Sequence, residues 1–246
     1  MWFSDYPFEI NGIDFVSFKS CKNERLIKGF LKEDFTTHII NTQQELPQIW
    51  KNMSKSSCRY AIHKAQKDGV KIRINQDYDQ FIEINHNFRK RKGILEQYVS
   101  KEYMMKNGVL FLAYLDDEML GGQFYICDDE NIRWLIGASK RLSATHEKAI
   151  IIGNANRLLI WEAIKFAKNN GKREFDLGGY YTGTAANQEL ECINKFKGSF
   201  GGTLKKNYNY SKIYSRKYWM AANLFKIYLA TKTRMDSLKL SFTDKK

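Results

Sequence analysis

The 246-residue chain has two prolines, Pro7 and Pro47, and no Gly/Ser-rich stretch, which excludes an obvious flexible linker or low-complexity segment. Its four cysteines (Cys21, Cys58, Cys127, Cys192) form no CxxC pair, and its four histidines (His38, His63, His86, His146) show no clustered ligand spacing. Reduced thiols and no structural metal are therefore expected. No window approaches the ~20 apolar residues of a bilayer span. The opening MWFSDYPFEINGIDF lacks the basic region, apolar core and small-residue cleavage site of an export signal, so a cytoplasmic location is expected. No repeat at a fixed period is present, and no GxSxG or comparable elbow points to a covalent serine or cysteine nucleophile.

What is present is enough apolar material for a folded core, 43% hydrophobic against 27% charged residues, and a formal net charge of +13. From Lys205 onward eleven Lys/Arg face only Asp236 and Asp244, so much of the excess lies in the tail. Such a balance favours an anionic partner: nucleic acid, a phosphate-bearing substrate or an acidic membrane surface.

Hydrophobic periodicity orders the elements. FTTHIINT reads as a strand, and QQELPQIWKNMSKSSCRYAIHKAQKDG as one helix stopped by Gly69. VKIRI alternates as a half-buried strand. A helix pair follows, QDYDQFIEINHNFRKRKG with Phe81, Ile84 and Phe88, then EQYVSKEYMMKNG with Tyr98, Tyr103 and Met104. VLFLAYL, MLGGQFYIC and NIRWLIGAS, separated by short acidic turns, make an antiparallel meander. The loop KRLSATHEKAIII leads to a helix beginning near Gly153, then the strand REFDLGG, the helix NQELECINKFKGSF and strands within GTLKKNYNYSKIY. The alternation is too irregular for a doubly wound parallel sheet.

Three stretches, KSSCRYAIHKAQKDGVKI, AIKFAKNNGKREFDLGG and INKFKGSFGGTL, give the chain a marked character. In this order they resemble the Fem peptidoglycan aminoacyltransferase and envelope-polysaccharide N-acyltransferase group of the GNAT superfamily, over roughly residues 35–215. The resemblance implies an α+β fold: a mixed, mainly antiparallel sheet flanked by helices, whose central strands splay to admit an acyl donor, here with a truncated N-terminal lobe. Three regions are expected: a reduced lobe and basic helix over 1–68, a GNAT-like domain over 69–214, and a basic amphipathic helix and tail over 215–246. The chain departs from the superfamily's pyrophosphate loop Q/R-x-x-G-x-G/A, because Ile150 stands at the Gln/Arg position before Gly153-Asn154-Ala155.

Acyl transfer to an amine needs an uncharged nucleophile, an acceptor for its proton, and donors aimed at the developing oxyanion. In the pair Phe196-Lys197 the resemblance implies that the lysine helps bind the donor and stabilises negative charge; a solvated helix lysine beside a core Phe is the alternative. Asp176, ending the strand before Gly178-Gly179, is a candidate to orient the amine or take its proton, against a turn aspartate. Tyr180 and Tyr181 would line the acceptor pocket. His146 and Glu147 are candidate bases in a loop at the catalytic mouth, or plain surface residues. Backbone N–H groups at Gly153 and Asn154 offer a phosphate site at a helix start. Lys55, Arg59, His63, Lys64 and Lys67 recur at helical spacing, and Arg59 and Lys64 are taken as substrate-binding, with a solvated face as the alternative. Residues 215–235 interleave aromatics with Lys and Arg, fitting either peripheral contact with anionic lipid on the inner membrane face or packing on the sheet.

Three functions remain open at this point: an N-acyltransferase using acetyl-CoA or another acyl-CoA on an amino sugar or envelope precursor, a Fem-type transferase using aminoacyl-tRNA, and a non-enzymatic basic binding module. The reduced first lobe leaves less surface for tRNA and favours acyl-CoA.

Overall fold

The computed structural model describes residues 1–95 and 99–225, together with residues 228 and 231. Two compact units are present, one of residues 36–206 and one of residues 1–35 with 207–246. The elements in chain order are β1 (Phe15–Cys21), β2 (Leu31–Asn41), α1 (Leu46–Asn52), α2 (Tyr60–Lys67), β3 (Lys71–Ile74), α3 (Tyr78–Lys92), α4 (Lys101–Asn107), β4 (Gly108–Leu115), β5 (Glu118–Cys127), β6 (Asn131–Ser139), α5 (His146–Asn169), β7 (Glu174–Gly179), α6 (Gln188–Gly198) and β8 (Thr203–Ile213). The mixed, mainly antiparallel sheet flanked by helices is as the sequence led one to expect.

In the larger unit the strands run in the order β2-β7-β6-β5-β4-β3. The meander β4-β5-β6 is antiparallel throughout, and β3 extends it. Strands β4 and β5 are buried along nearly their whole length, which is why VLFLAYL is continuously apolar rather than alternating. Helix α5 crosses over to bring β7 back parallel to β6. Ile152, Ala155, Leu159 and Ala163 of α5 share one core with Ile62 of α2 and Phe175 and Leu177 of β7. Phe81 and Ile84 of α3 and Met104 of α4 share the other with Leu110, Leu112 and Phe124.

Four expectations are corrected. The helix over 43–69 is broken: Met53 is extended, the Ser54 side chain accepts the Ser57 N–H, and a π turn over Lys55–Arg59 leads into α2. Burying Met53 and Cys58 sulfur to sulfur at 3.9 Å fixes that break. Helix α5 starts at His146, with the Thr145 hydroxyl capping the Lys148 N–H, seven residues before Gly153. GTLKKNYNYSKIY forms one strand rather than several. Strand β1 was not anticipated; it pairs with the 208–213 stretch of β8 in the smaller unit, where Val16, Phe18, Cys21 and Tyr210 make a separate small core.

The FGG stretch after α6 owes its glycines to close packing. Gly202 sits at φ +94°, and a Cβ there would stand 2.4 Å from the Ile39 carbonyl oxygen, so only glycine lets the chain run past β2. A helical stretch over 216–225 leaves Trp219, Met220, Leu224 and Phe225 exposed. Apart from 228 and 231, the remainder of the amphipathic segment and tail lies outside the described residues, as does Tyr98. Among the described residues no helix is long and apolar enough to cross a membrane.

Candidate active site

The parallel pair β6·β7 is short. Its register runs Asn131↔Glu174, Ile132↔Phe175 and Arg133↔Asp176, and stops there. Beyond it β6 continues to Ser139 held only on its β5 side, and β7 continues to Gly179 held on its β2 side. The strand edges between them are therefore open, and a cleft of about 710 Å³ occupies the gap. Along β6, Trp134 packs toward the α5 core and Leu135 toward the α3 core, and both line the cleft, so the opening passes through the sheet. On the α3 side it meets Phe88, Lys92 and Glu189. It runs into a second cavity of about 530 Å³ that shares Phe88, Lys92, Trp134, Arg141 and Phe196 with it and adds Gln123, Ala149 and Asn156.

The throat is polar. Asp176 and Arg133 form a buried ion pair where the strands part, with 4% and 8% residual exposure. The Thr37 hydroxyl donates to the Asp176 carboxylate, which also accepts the Gly178 N–H at 2.6 Å. Gly178 adopts φ +86°, turning the chain so that its Cβ position lies 3.6 Å from the Lys197 ammonium and 3.9 Å from Arg133. Lys197, 8% exposed at the end of α6, donates to the Gly179 carbonyl. Burial pushes its pKa down to about 8; Asp176 pulls it up and the Arg133 charge pulls it down further. Its neighbour Phe196 stands edge-on to Phe200 at 5.5 Å, and Arg157 lies 4.9 Å over its ring.

The structure thus brings Asp176, Phe196 and Lys197 to one place. Lys197 is not a solvated helix lysine, and Asp176 combines the turn contact with a buried ion pair that engages its carboxylate. Tyr180 and Tyr181 follow directly after β7: Tyr180 donates its N–H to Thr36 at 2.8 Å, and Tyr181 is tied to Asn194 by two hydrogen bonds and by its hydroxyl to Ala185 at 2.6 Å. Neither is among the residues lining the two cavities. His146 and Glu147 are exposed in the first turn of α5 rather than in a loop, and they too are off the cavity walls. The N–H groups of Gly153 and Asn154 belong to the interior of α5, where they serve the i−4 carbonyls, so no helix end offers them to a phosphate. Arg59 lies in the π turn with its Nε buried and unpartnered, and Lys64 is held by Asp68 at 2.5 Å.

Residues that the sequence did not single out complete the site: Arg133, Thr37, Trp134 and Arg141. His38 is a further buried group, its Nε2 at 2.6 Å from the Gly201 carbonyl and its pKa lowered by burial, which anchors the FGG turn as a neutral ring.

The open strand edges leave backbone N–H and C=O groups beside the cleft without a strand partner. Residues 53–188 match the family described as acetyltransferase (GNAT) domain, over half of the chain, and the chain belongs to that family. Among solved structures it is similar to FemX (TM-score 0.60, 14% identity, 85% of this chain and 68% of that one). It is also similar to L-PGS from Bacillus licheniformis (TM-score 0.55, 13% identity, 84% and 71%). A third is the C-terminal domain of a putative lysylphosphatidylglycerol synthetase from Agrobacterium fabrum (TM-score 0.53, 9% identity, 80% and 66%). At these identities the likeness is one of fold, and this chain spans about two thirds of each of the three. No curated protein matches the sequence.

Proposed function

We propose that the protein is an N-acyltransferase that moves an acyl group from acyl-CoA to the amine of an amino sugar or another cell-envelope precursor. The observation that carries this reading is the opening in the sheet between β6 and β7 with the buried Lys197 in its wall. The residues present suit acyl-CoA as donor substrate. Unpaired strand edges offer hydrogen bonds to an extended amide-bearing arm, Trp134, Leu135 and Phe196 supply apolar walls, and Arg141 supplies positive charge on the α5 side.

In this reading the donor enters from the side of Gln123, Ala149 and Asn156 and the acceptor amine from the side of Glu189 and Cys192. The amine nitrogen attacks the thioester carbonyl, a C–N bond forms and the C–S bond breaks. The amine proton leaves to solvent and the sulfur departs as the thiol of coenzyme A. Lys197, protonated below pH about 8, faces the oxygen on which negative charge develops. Asp176 positions it indirectly, by holding Arg133 and the Gly178-Gly179 turn.

A second reading, favoured by the net charge of +13, takes aminoacyl-tRNA as the donor. The two separate in one assay: release of free thiol from acetyl-CoA with and without an amino sugar, beside acceptor-dependent deacylation of aminoacyl-tRNA. Amine-dependent thiol release is the expected result. Deacylation of the tRNA without thiol release would move the protein to the second reading, and neither activity with any amine would sink both.

A further inference from the structure

The helical stretch over 216–225 is fixed to the smaller unit at its start. The Tyr214 and Ser215 N–H groups donate to the Asp14 carbonyl at 2.8 and 3.3 Å, the Ser215 hydroxyl caps the Tyr218 N–H at 3.3 Å, and the Tyr218 ring stacks on Phe15 at 5.1 Å. Within the stretch only Ala222 and Asn223 are half-buried. Tyr218 and Ala222, four residues apart, therefore mark the side that faces the unit.

The larger apolar side chains turn elsewhere. Trp219, Met220, Leu224 and Phe225 are each more than half exposed. Met220 and Leu224 share one face, and Arg216 and Lys217, four and three residues before Met220, fall on that same face. The outer face of a helix on a folded unit is ordinarily polar. Single exposed apolar residues need no partner, but four within one helical stretch mark a surface that something covers.

The charge decides what covers it. Residues 215–235 hold Arg216, Lys217, Lys226, Lys232 and Arg234 and no Asp or Glu. A second copy seated on this face would set like charges against each other. An RNA would satisfy the cations but leave the aliphatic Met220 and Leu224 without a role, because its backbone offers phosphates. The boundary layer of an anionic bilayer suits both sets: the acyl region takes the apolar side chains and the headgroups take the cations. Among the described residues no helix is long and apolar enough to cross a membrane, so the contact runs along the surface.

We propose that the face of the 216–225 stretch carrying Arg216, Lys217, Met220 and Leu224 docks the protein on an anionic lipid surface. The inference stands on the smaller unit alone and is independent of the acyltransferase reading.

The test is flotation of the full chain with vesicles of equal parts phosphatidylglycerol and phosphatidylcholine, beside vesicles of phosphatidylcholine alone, at roughly physiological salt so that diffuse attraction is screened. Wild type is expected to float with the first and not with the second. Met220→Ser with Leu224→Ser, at exposed positions that leave the fold intact, is expected to lower partitioning roughly tenfold or more while every charge is kept. Arg216→Gln with Lys217→Gln should lower it about fivefold for each charge removed. Lys90→Gln with Lys106→Gln, exposed in the larger unit, removes the same charge and should leave partitioning unchanged. Wild type that does not float, partitioning that ignores Met220 and Leu224, or an equal loss in the Lys90 and Lys106 variant would overturn the site. Self-association or tRNA binding that needs Met220 and Leu224, in a protein that does not float, would give the face to a second copy or to RNA instead.

Discussion

Lys197→Ala is expected to lower kcat by roughly 10²–10³, the usual loss when one donor to a developing oxyanion is removed. The variant should remain folded, because Lys197 anchors only the Gly179 carbonyl and its charge is unfavourably buried. The sign of its stability effect follows. Its folded-state pKa of about 8 lies below its ordinary 10.5, so the unfolded chain holds the proton more tightly between those values, and wild-type stability rises with pH across that window. Below pH about 8 the burial penalty is fully present and the alanine variant escapes it. Catalysis has the opposite dependence, since the protonated lysine stabilises the oxyanion: the wild-type rate should carry a limb falling above pH about 8. Lys197→Arg keeps its charge to far higher pH and should lose that limb. A kcat–pH profile of the wild type and the two variants checks all of this; wild-type turnover in folded Lys197→Ala would remove the residue from the mechanism.

Asp176→Ala is expected to act on stability first, by about 3–5 kcal/mol, because it leaves the Arg133 guanidinium buried without its carboxylate. For a chain of this size that corresponds to a fall in Tm of roughly 6–20 °C. Asp176→Asn should be milder, since an amide oxygen still accepts from Gly178 and Thr37. Thermal unfolding of both variants beside kcat at a temperature where both are folded separates two roles. A positioning residue gives a large stability loss and partial activity. A general base would give near-wild-type stability and abolished turnover, and that outcome would contradict the role given to Asp176 here.

How far the site was legible in the sequence depends on which residues carried local signals. FDLGG and FKxxFGG stand close to the structure they specify: a strand that ends in a positive-φ Gly178, and a lysine followed by a turn that only glycine can make past Ile39. Those motifs carry Asp176, Phe196 and Lys197, which the fold brings together. Arg133 and Trp134 gave no such signal, because what makes β6 a cleft wall is the loss of pairing after Arg133, a property of its distance from β7 and not of NIRWLIGAS itself. In the sequence Gly153 has the character of a helix boundary, whereas the Thr145 cap lies eight residues earlier and has Lys148 where a capping box would have Glu or Gln. That one shift takes His146, Glu147 and the Gly153 amides out of their expected places. The break at Met53-Ser54 was signalled by a serine able to cap, yet apolar periodicity ran through it. Strand β1 was hidden for another reason: its partner in β8 is nearly the whole chain away, and FVSFKSC alternates too weakly to declare itself.

The central claim, that the opening between β6 and β7 is where the donor binds, is tested most directly by hydrogen–deuterium exchange with and without saturating acetyl-CoA. The account predicts slowed exchange in residues 134–139 and 177–179, the strand edges that leave each other after Arg133 and Asp176, with β3 and β4 unchanged. Binding that leaves those two segments unprotected, or protects a surface elsewhere, would contradict it.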